Sequence, residues 1–402
     1  MVTAGSLGVL LLAAIAGVAL AHDGSHVAAR VPTPPFSPKS VPVEQATVVE
    51  GARPRSGRFE YVLLDGEVYV YPEGSTAAVQ RITIPALKAG VRGLDVDVKR
   101  HVLYIAYGGD GGNNGTGSLL KYDLLTDRVI WQKDYPVGID SFGLTPDGTT
   151  IFMPGGEGEA APWWYVIKTA TGRVVARIDG GSYPHNTVVS LDGKRAYLGP
   201  RGDPRVTVVD AHTYKVIRQI GPLRESERPF TINGEQTLAY MTQSLHRGFQ
   251  VGSIRTGKVL YTVDFGPLGD YQNSAPSHGV SLSPNEKNLW VIDSPANLIR
   301  VFDVSRVPAR APRQIAALPV ENDRGVEEGC AYDCFRSGWV QHTLDGKYVY
   351  VGDTGDFFTT KPPTLAGYLP PLRNTRKHIE IDWRNGKPVA TSTRQGLGRV
   401  RR

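Results

Sequence analysis

Short apolar runs alternate with polar turns through most of the chain, and the alternation repeats as a unit. Its clearest copy is Asn186-Thr-Val-Val-Ser-Leu-Asp-Gly-Lys-Arg-Ala-Tyr-Leu198, followed by Arg205-Val-Thr-Val-Val-Asp210 and Lys215-Val-Ile-Arg-Gln-Ile220. Apolar runs of this length bounded by turn formers read as strand, Asp-Gly turn, strand, strand, strand. The turn recurs as Asp147-Gly148, Asp192-Gly193 and Asp345-Gly346, with Asn233-Gly234 and Pro284-Asn285 at related points. Aligned on these turns, seven units carry an aromatic residue at one position: Tyr61, Tyr104, Phe152, Tyr197, Tyr240, Trp290 and Tyr350. A spacing of 40 to 60 residues with about four strands per unit predicts propeller blades. The fold class expected is therefore all-β, a seven-bladed β-propeller.

The first unit has three evident strands, at 59–64, 67–71 and 79–84, and lacks an inner one. The C-terminal stretch Arg394-Gln-Gly-Leu-Gly-Arg-Val400 is similar to the inner-strand start Val91-Arg-Gly-Leu94. A C-terminal strand joining the first blade is thus expected to close the ring and remove its exposed edges. Residues 357–372 read as an insertion in the last blade.

Several third strands end in an acidic residue before a Thr- or Gly-bearing turn: Tyr122-Asp123…Thr126, Val209-Asp210…Thr213 and Ile381-Asp382…Gly386, with Thr171-Gly172 and Thr256-Gly257 at the same place. With the Asp-Gly turns and the following aromatic, this pattern resembles the YVTN-type β-propeller repeat family from about residue 59 to the end. The resemblance implies the fold and little about function, because the family includes binding proteins, enzymes and electron-transfer partners. A more distant similarity to amine-dehydrogenase-like propellers implies a redox subunit. Against that, the chain has no Cys-x-x-Cys-His, and its two cysteines do not supply a cross-linked cofactor plus a disulfide scaffold.

Residues 7–21 are apolar, carry no charge and end in Ala19-Leu20-Ala21 before a polar stretch, the pattern of a secretory signal. The domain division expected is signal 1–21, Pro-rich linker 22–55 and propeller 56–402. The protein is expected to be secreted or periplasmic, without a membrane span once the signal is removed. Cys330 and Cys334 would then form a short-range disulfide. The formal net charge is +6, but the basic residues form no dense run, so nucleic acid is not the expected partner. Closed sheet edges are compatible with a monomer.

In a propeller the first residues of the inner strands ring one mouth of the central channel, where ligands bind. The repeat register puts Arg92, Asp140, His185, Arg228 and His278 at equivalent opening positions, with Gln395 on the closing strand and the long loop of the sixth repeat filling the remaining place. Arg92 and Arg228 can hold an anion, while His185 or His278 can act as acid or base near neutral pH. Two imidazoles and Asp140 can instead bind a divalent metal. His342 aligns opposite Val189, roughly 13 Å deeper than His185 at the rise of a strand. Only a shifted register would bring His185, His278 and His342 together on one metal. The loop at 323–336 adds Glu327, Glu328 and Asp333 as candidates. Water-filled channels are also lined by polar residues that hold nothing.

Two functions follow as expectations. One is an exported module whose mouth binds a small anionic ligand or a protein partner. The other is a lyase or hydrolase, with or without a metal, using His185 and His278 together with Arg92 and Arg228.

Overall fold

The structure, a computed structural model, describes residues 32–109, 116–156, 161–320 and 338–400. Its strands form seven sheets, five of four strands, one of five and one of six. They are the blades of a seven-bladed β-propeller. The inner strands are Val91–Asp97, Gly143–Leu144, Pro184–Val189, Glu227–Ile232, Val280–Leu282, Trp339–His342 and His378–Arg384. Neighbouring strands within each blade run antiparallel.

Sequence dictates this locally in two ways. The Asp-Gly turns need a positive φ, and Gly148, Gly193 and Gly346 have φ of 71°, 69° and 69°. The preceding aspartate accepts the backbone N–H two residues on, as Asp147 does from Thr149, Asp192 from Lys194 and Asp345 from Lys347. The aromatic of each second strand is the common core position, each of the seven being no more than 2% exposed. These rings fill the wedges between blades; Tyr61, for example, shares a cluster with Leu94, Ile105 and Tyr122 of the next sheet.

Closure is made by the C-terminal part of the chain, as expected, but by another segment. Gly57–Leu63 pairs with His378–Arg384, and Lys387–Thr391 lies on the free side of that strand. His378–Arg384 touches Val91–Asp97 as the other inner strands touch their neighbours. Both of these inner strands follow a proline-led 3₁₀ turn, Pro85–Ala89 in one case and Pro370–Asn374 in the other. The Ile381-Asp382 pair expected on a third strand is therefore on an inner one. The stretch 394–400, expected to be the closing strand, forms no strand and lies inside the ring. Part of the anticipated insertion instead makes strands of the sixth blade, Asp356–Thr360 and Pro363–Tyr368.

The Pro-rich stretch expected to be a free linker is partly a strap. Phe36 bridges Val174, Lys39–Val41 pairs with Arg128–Tyr135, and Thr47–Gly51 pairs with Gln80–Thr83. The strap thus covers the outer edges of three consecutive blades by backbone hydrogen bonds, which need little apolar sequence. The signal segment, Cys330, Cys334, Glu327, Glu328 and Asp333 lie outside the described residues. Among the described residues no helix is long and apolar enough to cross a membrane.

Candidate functional site at the channel mouth

The inner-strand register can be counted from the aromatic pairings. Tyr104, Phe152, Tyr197, Tyr240, Trp290, Tyr350 and Tyr61 face Asp95, Gly143, Val188, Thr231, Ser281, Gln341 and Ile379. Three residues before each partner stand Arg92, Asp140, His185, Arg228, His278, Gly338 and Arg376. The first five were anticipated. The sixth place falls to a backbone glycine, and the seventh belongs to Arg376, not Gln395.

Three of these residues sit where the strand register slips. The ladder skips between Val91 and Gly93, between Pro184 and Asn186, and between Glu227 and Phe230. A bulge frees one residue from the pleat and re-aims its side chain, which is how Arg92, His185 and Arg228 leave the alternation of their strands. Gly93 permits the close approach of the next blade, since a Cβ there would lie 2.8 Å from the Asp140 carbonyl oxygen.

The side chains converge. The Asp140 carboxylate accepts His185 Nδ1–H at 2.7 Å, and the His185 and His278 ring centroids are 5.8 Å apart. His278 Nδ1 lies 3.2 Å from the Gly338 carbonyl oxygen. A carbonyl only accepts, so Nδ1 of His278 carries the proton and Nε2 the lone pair. Burial, then Arg376, His185 and Arg228, push the His278 pKa well below the usual imidazole range, so that its ring is neutral at pH 7.

Arg228 is buried and donates through Nε to Ser244 Oγ at 3.0 Å and through Nη2 to Ser274 Oγ. The adjacent Glu227 does not cancel its charge, because burial raises the Glu227 carboxyl far above the carboxylate range despite the pull of Arg228. Arg376 pairs with Asp353 (Nε to Oδ2, 2.8 Å), which also accepts the Gly338 N–H.

A further guanidinium comes from the C-terminal stretch and was not anticipated. Arg394 lies over the Trp339 ring at 4.4 Å, and Trp339 lies 5.6 Å from His278. Arg394 donates to Ser141 Oγ at 2.8 Å, to the Arg92 carbonyl at 3.4 Å and to the Arg376 carbonyl at 3.2 Å. The sequence carried a signal for Arg376, the Pro-x-Leu-basic run at 370–373 that matches 85–88 before Arg92. For Arg394 it carried none.

His342 is not part of this cluster. It pairs with Val349, in the register of Val189, and its Nδ1 faces Ser281 Oγ at 2.8 Å with Trp290 edge-on to the ring. Among the described residues no group of three His, Cys, Asp or Glu side chains is arranged to hold a metal ion. Gln395 is buried on the C-terminal stretch.

The Arg228 and Arg376 charges act on His278, Arg394 lies over the neighbouring Trp339, and Asp140 and Asp353 stand as opposing charges; charge-assisted hydrogen bonds from guanidinium groups are strong and selective for carboxylate and phosphate oxygens.

No family model and no curated protein matches the chain. Solved structures match the fold. A functionally unknown protein from Desulfotomaculum acetoxidans is 9% identical with a TM-score of 0.61, over 79% of this chain and 96% of that one. The β-propeller domain of Cps50 (Swd1) from Myceliophteria thermophila is 12% identical with a TM-score of 0.52, over 69% of this chain and 86% of that one. At such identities the likeness concerns the fold alone.

Proposed function

We propose that the protein is an exported propeller of the YVTN type that binds a small anion, bearing a carboxylate or phosphate group, at the channel mouth. The observation that carries this reading is the gathering of guanidinium groups from separate blades and the C-terminus around His185 and His278. Export is supported by the apolar stretch at 7–21, and the YVTN assignment by the Asp-Gly and Asp…Thr/Gly turns. Calorimetric titration with inorganic phosphate and with malonate tests the binding reading. Uptake of either is expected, weakened about tenfold, or about 1.4 kcal/mol, by Arg228→Gln. Heat of dilution alone for both ions, in wild type and variant alike, would overturn it.

A second reading, proton transfer on the bound anion, is favoured by the Asp140–His185 hydrogen bond, which fixes the tautomer and leaves Nε2 as the basic nitrogen. It predicts turnover that falls at least a hundredfold in His185→Gln while anion affinity changes little.

A further inference from the structure

Residues 392–400 are tied to the inner strands of the ring. After the closing strands they pass through the interior of the ring, held by inner strands of three blades. Trp339 Nε1 donates to the Arg394 carbonyl at 2.8 Å, Leu282 N and Thr231 Oγ1 donate to the Gly396 carbonyl at 2.9 Å each, and Gly398 N donates to the Ile232 carbonyl at 3.0 Å. The stretch ends with Val400 N on Glu286 Oε1 at 3.0 Å. Leu397 joins the core cluster of Val188, Phe230 and Ile232. Gly396 is needed where the stretch passes Ser281: its φ is 50°, and a Cβ would come within 2.0 Å of the Ser281 hydroxyl oxygen. From this base Arg394 reaches up to the level of Ser141 and the carbonyls of Arg92 and Arg376.

We infer that this stretch is a built-in floor of the mouth site, and that Arg394 couples seating of the floor to occupation of the site by an anion. The inference rests on the anion-binding reading above. Its physical content is a linkage: an anion that interacts with the Arg394 guanidinium binds the seated form better than the unseated form, so it must stabilise seating by the same factor. The ligand class is a compact oxyanion or carboxylate entering from the mouth, because the floor occupies the interior beneath. Ring closure is made by His378–Arg384 and Gly57–Leu63, upstream of the floor, so changes at 394 and 396 leave the closing pairs in place.

The test uses the full chain, inorganic phosphate, and three variants: Arg228→Gln, Arg394→Gln and Gly396→Ala. Two quantities are measured, phosphate affinity by calorimetry and hydrogen exchange of the amides of Leu282, Gly398 and Val400 with and without phosphate. Saturating phosphate is expected to slow exchange of these amides in wild type. Arg394→Gln is expected to weaken phosphate binding about tenfold and to abolish the slowing. Gly396→Ala, which leaves every charge in place, is expected to weaken binding by a similar factor because it unseats the floor. Weaker binding in Arg228→Gln, with wild-type affinity in both floor variants or exchange indifferent to phosphate, would overturn the coupling and leave the anion site standing. Absence of phosphate binding in wild type would overturn both. Should Arg394→Gln fail to fold, Gly396→Ala and the wild-type exchange decide the matter alone.

Discussion

Among the described residues, two histidine–carboxylate contacts have both partners buried and nearly equal lengths, and they do opposite things. At the mouth, His185 meets Asp140 at 2.7 Å among arginines. At the closing seam, His378 meets Glu60 at 2.6 Å beside Glu380 and below Tyr350, with Arg58, Glu73 and Asp345 further out. Burial raises the Glu60 carboxyl far above its usual range and lowers His378 to about 3, so the seam contact is a neutral O–H donating to Nδ1. The seam is crowded with the carboxyl groups of Glu60, Glu380 and Glu73, and the Arg58 and Arg394 charges act on it from its margins. The seam contact is a strut between the closing strands Gly57–Leu63 and His378–Arg384, whereas the mouth pair sits beside His278 and the charges of Arg228 and Arg376. A short contact alone therefore says nothing about function; the charges around it do.

The comparison is broken most forcefully at the seam. Glu60→Ala leaves the His378 Nδ1 acceptor buried and opens a void, and is expected to lower stability by about 3 kcal/mol. Glu60→Gln, which can donate in place of the acid, should recover most of that in denaturant unfolding. Equal losses in both variants would mean that the contact is ionic.

Glu380, also at the seam, gives an effect that grows with pH. Burial and the nearness of Glu60 raise its pKa to about 9. A carboxyl whose folded pKa lies above its unfolded value contributes fully below about pH 4.5 and loses that contribution as pH rises through about 9. The stability of Glu380→Gln relative to wild type should therefore climb between pH 5 and 9, by on the order of 1 kcal/mol per pH unit. A flat difference over that range would place an ionised carboxylate at the seam.

The smallest effect sharpens the mouth. Asp140→Asn removes an opposing charge and is expected to tighten phosphate binding about threefold, less than 1 kcal/mol. Weaker binding would show that the orientation of His185 outweighs charge.

Much of this was legible in the sequence because a propeller is counted, not guessed. The aromatic of each second strand fixes the strand beside it, and that register delivered Arg92, Asp140, His185, Arg228 and His278. It failed at the seam, where the partners Glu60 and His378 are 318 residues apart and the run Ile381-Asp382…Gly386 has the look of a third strand. Arg376 was lost with it. The bulges that re-aim Arg92, His185 and Arg228 leave no trace in residue type. Arg394 escaped because it sits on a stretch with no ladder, positioned by contacts to other blades. The strap at 36–51 escaped because strand addition to an edge draws on backbone groups, which every sequence has except at proline.

The measurement that bears most directly on the central claim is anomalous diffraction from crystals of the full chain soaked in sodium selenate. A selenium peak about 4 Å from the Arg228 and Arg376 guanidinium nitrogens, one hydrogen-bonded oxygen away, is expected at the channel mouth and is expected to be absent in Arg228→Gln. Selenium peaks confined to the outer surface, with none at the mouth, would contradict it.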